Sequence, residues 1–177
     1  LNEYKGSNVI LRDYRNHLQG ITNKVDSYKS LPIKKWYSHS WKGFYIRLKQ
    51  ELGSGNWGFV SNRSGGFMGF WWNWSPWDMK FRTYLQLEQK TLCFKVNVNK
   101  EDRKLSSRIG QKLYSELQKI DPCIKRPKRI MPGKTSTFGY VENYISVGED
   151  GTLIIKDTIE KLRKAEDAIA LALKMTK

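Results

Sequence analysis

Residues 82–98 read RTYLQLEQKTLCFKVNV, and this stretch limits the possible folds more than any other part of the chain. Two runs alternate with a period of two, Arg82–Glu88 and Thr91–Val98, and the Gln89-Lys90 pair between them is short enough for a two-residue hairpin turn. Such a turn sets the register: Leu87 faces Leu92, Leu85 faces Phe94, and all four fall on one face. Tyr84, Gln86, Glu88, Thr91, Cys93 and Lys95 fall on the other. Register and polarity agree, so the chain is expected to contain an antiparallel meander with one face built to be covered.

A second strand pair is expected at 56–61 and 67–74, around the glycine-bearing loop 62–66. In this pair alternation sends Phe67, Gly69, Trp71 and Asn73 one way and Met68, Phe70, Trp72 and Trp74 the other. The second set is uniformly apolar, which predicts Trp72 and Trp74 in the core. Trp71, on the mixed face, and Trp77, in the loop beyond, are the rings left to stack on a flat ligand such as a base.

Helical periods flank these strands. Residues 8–28 bring Val9/Ile10, Tyr14, Leu18/Ile21 and Val25 onto one stripe, with Asn8 available as N-cap, and a second helix is expected to pack on this first one or on the sheet. Residues 38–52 carry Trp41, Phe44/Tyr45, Leu48 and Leu52 and end at Gly53. Leu105, Ile109, Leu113 and Leu117/Ile120 mark a helix over 100–120, and Asp157 opens a last helix with Ile159, Leu162, Ala165/Ile169 and Leu173 buried. One or two more strands are expected within Phe138–Val147. The predicted fold is α+β: an antiparallel sheet of four to six strands with two N-terminal helices, a middle helix and a C-terminal helix. It forms one domain over 1–177, helical to 55, a β-meander over 56–98, then helix, basic loop, strands and helix. The first residue is Leu1 rather than Met, and 1–8 read as interior sequence, so the domain is expected to be a piece of a longer protein.

The chain carries 32 Lys+Arg against 17 Asp+Glu, a net charge of +15, which favours a polyanionic partner. The excess is concentrated: residues 100–134 hold eleven basic and four acidic side chains, whereas 138–177 hold six and seven. Lys125, Arg126, Lys128 and Arg129 fall within five residues, followed by Lys134, in a loop kept extended by Pro127 and Pro132. Such a loop suits phosphate backbones, and Arg63 in the 62–66 loop is a further candidate cation. The competing reading is a solvated charged loop. No apolar run is long enough to span a membrane and no signal pattern opens the chain, so the expected address is cytoplasmic and no membrane partner is expected.

Catalytic motifs are sparse. Gly133-Lys134-Thr135 resembles the end of a phosphate-binding loop, but the pattern needs a glycine at position 128, which is lysine. His17, His39, Cys93 and Cys123 have no metal-ligand spacing. Asp78 with Glu88-Gln89-Lys90 invites comparison with the PD-(D/E)xK nucleases, where two carboxylates hold Mg²⁺ or Mn²⁺ and a lysine positions water. Against this, the hairpin register places Lys90 in the turn, off the strand that carries Glu88. No cofactor is expected outside that nuclease alternative.

The segments RDYRNHL (12–18), WGFVSNRSGGFMGFWW (57–72), YLQLEQKTLCFKV (84–96) and PKRIMPGKTSTFGYV (127–141) together resemble the C-terminal region of bacterial and prophage-borne PD-(D/E)xK-superfamily nuclease-like proteins. The resemblance covers most of the chain. It implies a DNA-processing or defence context in which the nuclease core, with its own acidic and lysine motif, precedes a helix like 12–18. It therefore transfers no catalytic residue to this chain, and Glu88-x-Lys90 is then a coincidence of the hairpin turn. The expected function is an accessory domain that binds nucleic acid, DNA in the first instance, beside a preceding nuclease domain or partner subunit. The alternatives are a metal-dependent nuclease using Asp78, Glu88 and Lys90, and a protein-interaction domain.

Overall fold

The computed structural model describes residues 3–62, 65–76 and 81–176. Its elements are α1 (Glu3–Asp26), α2 (Ser38–Leu52), β1 (Asn56–Val60), β2 (Phe67–Pro76), β3 (Phe81–Glu88), β4 (Thr91–Val98), α3 (Arg103–Ile120), β5 (Thr135–Val141) and α4 (Ile155–Thr176). The five strands form one antiparallel sheet in sequence order, β1-β2-β3-β4-β5, so the fold is α+β.

The β3–β4 hairpin adopts the register its polarity dictates, with Leu85 opposite Phe94, Gln86 opposite Cys93 and Leu87 opposite Leu92. Gln89 turns the chain at φ +50°. Leu85, Leu87 and Leu92 are completely buried, together with Phe70, Trp72, Phe44, Tyr45, Leu113, Leu117, Phe138 and Leu162. One core thus joins one face of the sheet to α2, α3 and α4. Tyr45 binds two parts of it, stacking on Phe70 at 5.8 Å and donating its hydroxyl to the Met68 carbonyl at 2.9 Å. On α4, Glu166 accepts a 2.7 Å hydrogen bond from the Trp72 indole. Among the described residues no helix is long and apolar enough to cross a membrane.

The structure corrects the sequence reading at several points. Trp74 is not in the core: it is 45% exposed and stacks on Tyr84 with ring centroids 4.1 Å apart. The β2–β3 register shifts between Trp72 and Ser75, so Asn73 and Trp74 together oppose Tyr84, and Asn73 adopts φ +56°. That bulge reverses the alternation after Trp72 and turns Trp74 onto the helix-free face. The first helix begins at Glu3, which makes Asn8 an interior position rather than a cap. Its apolar stripe is exposed rather than packed, and Leu105 on α3 is 39% exposed. The 138–147 region gives a single strand that starts earlier, at Thr135, followed by an isolated bridge between Val147 and Leu153.

Thr83 is fully buried, and its hydroxyl is the one buried side-chain N or O atom without a hydrogen bond among the described residues. A buried hydroxyl without a partner carries a desolvation penalty, so Thr83→Val, which keeps the branched shape, is expected to raise stability by about 1 kcal/mol. Urea unfolding of the two proteins measures it; a loss of stability in the valine variant would mean that the hydroxyl has a partner.

Candidate nucleic-acid interface

The helix α3 buries Ser106, Gly110, Leu113, Tyr114 and Leu117 and turns its other side to solvent. On that outer side Lys104, Arg108 and Lys112 recur every four residues, so their side chains form one stripe down the helix. Arg103 is exposed at the same end. Like charges at this spacing repel, and cations in a first turn oppose the helix dipole, so the arrangement is locally unfavourable.

The loop that follows α3 is held against it. Gly133 N–H donates to Ser106 Oγ at 3.1 Å, Ser106 Oγ lies 3.1 Å from Ser136 Oγ, and the Ser136 hydroxyl donates to the Met131 carbonyl. Ile130 is buried over Gly110, where a Cβ would stand only 3.0 Å from both Ile130 Cγ2 and Phe138 Cβ. Val98 N–H donates to the Lys134 carbonyl at 2.9 Å. These contacts fix the loop as a ledge against the inner side of α3, with Lys128, Arg129 and Lys134 exposed on it.

Two sequence candidates are partly engaged. Lys125 exchanges both backbone hydrogen bonds with Tyr140, and its ammonium meets Glu142 at 2.6 Å, which raises its pKa and neutralises it locally. The Arg126 guanidinium lies 5.9 Å from the centre of the Tyr114 ring on α3. Neither Arg126 nor the other exposed cations of stripe and ledge make an ion pair among the described residues. Elsewhere the surface pairs its charges, as in Lys29–Asp26 and Lys164–Glu160, and the last turns of α3 do so in Lys119–Glu116. An ordinary solvated surface would mix its signs here too; residues 103–134 instead carry ten basic and two acidic side chains. The helix half of this surface is absent from the sequence-level candidates, although the four-residue repeat at 104, 108 and 112 is the signal that marks it.

The aromatic candidates lie elsewhere. Trp71 is half-buried on β2, its indole lying over Gly58 of β1. It faces the side that carries Gln86, its partner across β3, whereas α3 covers the opposite face. Three strand spacings, about 14 Å, separate β2 from β5, so Trp71 and the basic ledge do not share a face. Arg63, Trp77 and Asp78 lie outside the described residues.

Glu88 and Lys90 are directed apart. The Glu88 carboxylate accepts from Gln86 at 2.9 Å and pairs with Lys95 at 2.7 Å on the helix-free face. Lys90 sits in the turn and borders a pocket of about 270 Å³ with Ile33, Lys34, Asn143 and Ile145. No group of three His, Cys, Asp or Glu side chains converges to hold a metal among the described residues.

Cys93, also on the helix-free face, is buried, and burial first and the nearby Glu88 second push its thiol pKa up to about 12. Cys123 is exposed. A thiol reagent at neutral pH is expected to modify one equivalent in the folded protein, at Cys123, and two after denaturation. Rapid modification of both in the native state would contradict this placement.

Comparison of the chain with known protein families, curated proteins and solved structures found no match.

Proposed function

We propose that this chain binds nucleic acid, in the first instance duplex DNA, through the exposed cations of α3 and of the 125–134 loop docked on it. One observation carries the reading: eight exposed cations, Arg103, Lys104, Arg108 and Lys112 on the helix and Arg126, Lys128, Arg129 and Lys134 on the ledge, fall within residues 103–134 without an acidic partner among the described residues. Charges held together at a local cost are offset when a polyanion arrives and its counterions are released. Phosphate contacts of this kind supply affinity and orientation without reading sequence. The resemblance to the C-terminal region of PD-(D/E)xK nuclease-like proteins supports an accessory role beside a nuclease. The engagement of Glu88 by Gln86 and Lys95 favours that role over catalysis by this chain itself.

The test is the salt dependence of binding to a labelled DNA duplex, followed by anisotropy. If five of these cations meet phosphates, log K falls with log salt at a slope of about −4.5. A slope near zero would overturn the proposal, and steeper, tighter binding to single-stranded DNA or to RNA would reassign the ligand.

A further inference from the structure

Over residues 9–24 every side chain of α1 is exposed, including Ile10 at 71%, Leu11 at 59% and Tyr14 at 61%. Among the described side chains the helix is fastened at its C-terminal end. There Gly43 of α2 meets it so closely that a Cβ would stand 2.0 Å from the Val25 carbonyl oxygen, Ser27 Oγ lies 2.7 Å from Ser40 Oγ, and Tyr37 donates to the Lys24 carbonyl at 3.3 Å. Sixteen residues, about 24 Å of helix, project beyond this anchor. A helix of that length standing alone is marginal in water, and Gly20 in its middle weakens it further.

The projecting part has the pattern of a helix made to be packed. Leu11, Tyr14, Leu18, Ile21 and Val25 follow one another at intervals of three, four, three and four, the seam of a two-helix heptad. Arg15 and Thr22 border the seam on one side, and His17 and Lys24 on the other. The acids Asp13 and Asp26 fall at positions further round the helix. Over 9–24, pairing of two copies in register, parallel or antiparallel, therefore sets basic or neutral borders against each other with no carboxylate to answer them; Glu3, which shares the border of His17 and Lys24, falls before this segment. We infer that α1 is a docking helix for a partner of complementary build: an amphipathic helix whose apolar seam is bordered by Asp and Glu. This inference is independent of the basic face on α3.

A synthetic three-heptad peptide with Leu at the seam and Glu at its borders, which self-repulsion keeps monomeric, serves as the probe. A Lys-bordered peptide serves as control. The Glu peptide is expected to bind at least about tenfold more tightly than the Lys peptide. The double variant Leu18→Ser, Ile21→Ser should lose at least about tenfold in that affinity with its unfolding midpoint unchanged, both side chains being exposed. Because the peptide keeps its charge in that comparison, the loss separates seam docking from simple attraction to a basic chain. The double variant Arg15→Glu, Lys24→Glu should reverse the preference between the peptides. Equal binding of the two peptides, binding of neither, or self-association of the chain that the seam variant abolishes would each overturn the inference.

Discussion

Trp72→Ala is expected to lower stability by about 3–5 kcal/mol, whereas Trp74→Ala, two positions along the same strand, is expected to lose only about 1 kcal/mol. Trp72 is fully buried, stacks on Phe70 at 5.3 Å and donates to Glu166. Its truncation opens a large cavity and leaves the Glu166 carboxylate, whose pKa burial already raises, without its indole donor. Trp74 is 45% exposed and loses chiefly its stacking on Tyr84. Strict alternation would give the two tryptophans one environment and comparable losses; the bulge at Asn73 gives them opposite faces. Denaturant unfolding of both variants decides, and equal losses would contradict the bulge.

That pair also shows what the sequence could and could not reveal. The β3–β4 register was legible because a two-residue turn and the Leu85, Leu87, Leu92, Phe94 pattern independently demand the same pairing. The burial of Trp72 was legible because Phe70 and Met68 share its alternation. The fate of Trp74 was not, because a bulge adds one residue to one strand and changes no polarity, and Asn73 is only one of several residues able to take a positive φ. In α1, periodicity revealed a helix and its apolar face but not whether the chain supplies anything to cover that face. The stripe on α3 and the loop beyond it were each visible as clustered charge. The docking of that loop on α3 depends on the Ser106–Ser136 hydrogen bond and on Ile130 settling over Gly110, tertiary contacts that no local pattern encodes.

The second large effect concerns the proposed interface. The combined variant Arg108→Ala, Lys112→Ala, Lys128→Ala, Arg129→Ala is expected to weaken duplex binding at least about a hundredfold at moderate salt. It should also flatten the salt slope by about 0.9 for each phosphate that is no longer neutralised. Stability should hold or rise slightly, because Arg108 and Lys112 no longer repel and none of the four makes an ion pair among the described residues. Loss of binding without loss of stability separates a binding role from a structural one. Retained affinity with an unchanged slope would remove this face from the interface.

If helix α3 and the loop docked on it bind nucleic acid, a map of backbone amide shifts as a short DNA duplex is titrated in reads that binding out residue by residue. The shifts are expected to concentrate at 103–115 on α3 and at 125–134, with α1, α4 and the Trp71 face of the sheet left unmoved. Shifts centred on the helix-free face of the sheet or on α4, or no shifts at all at low salt, would contradict it.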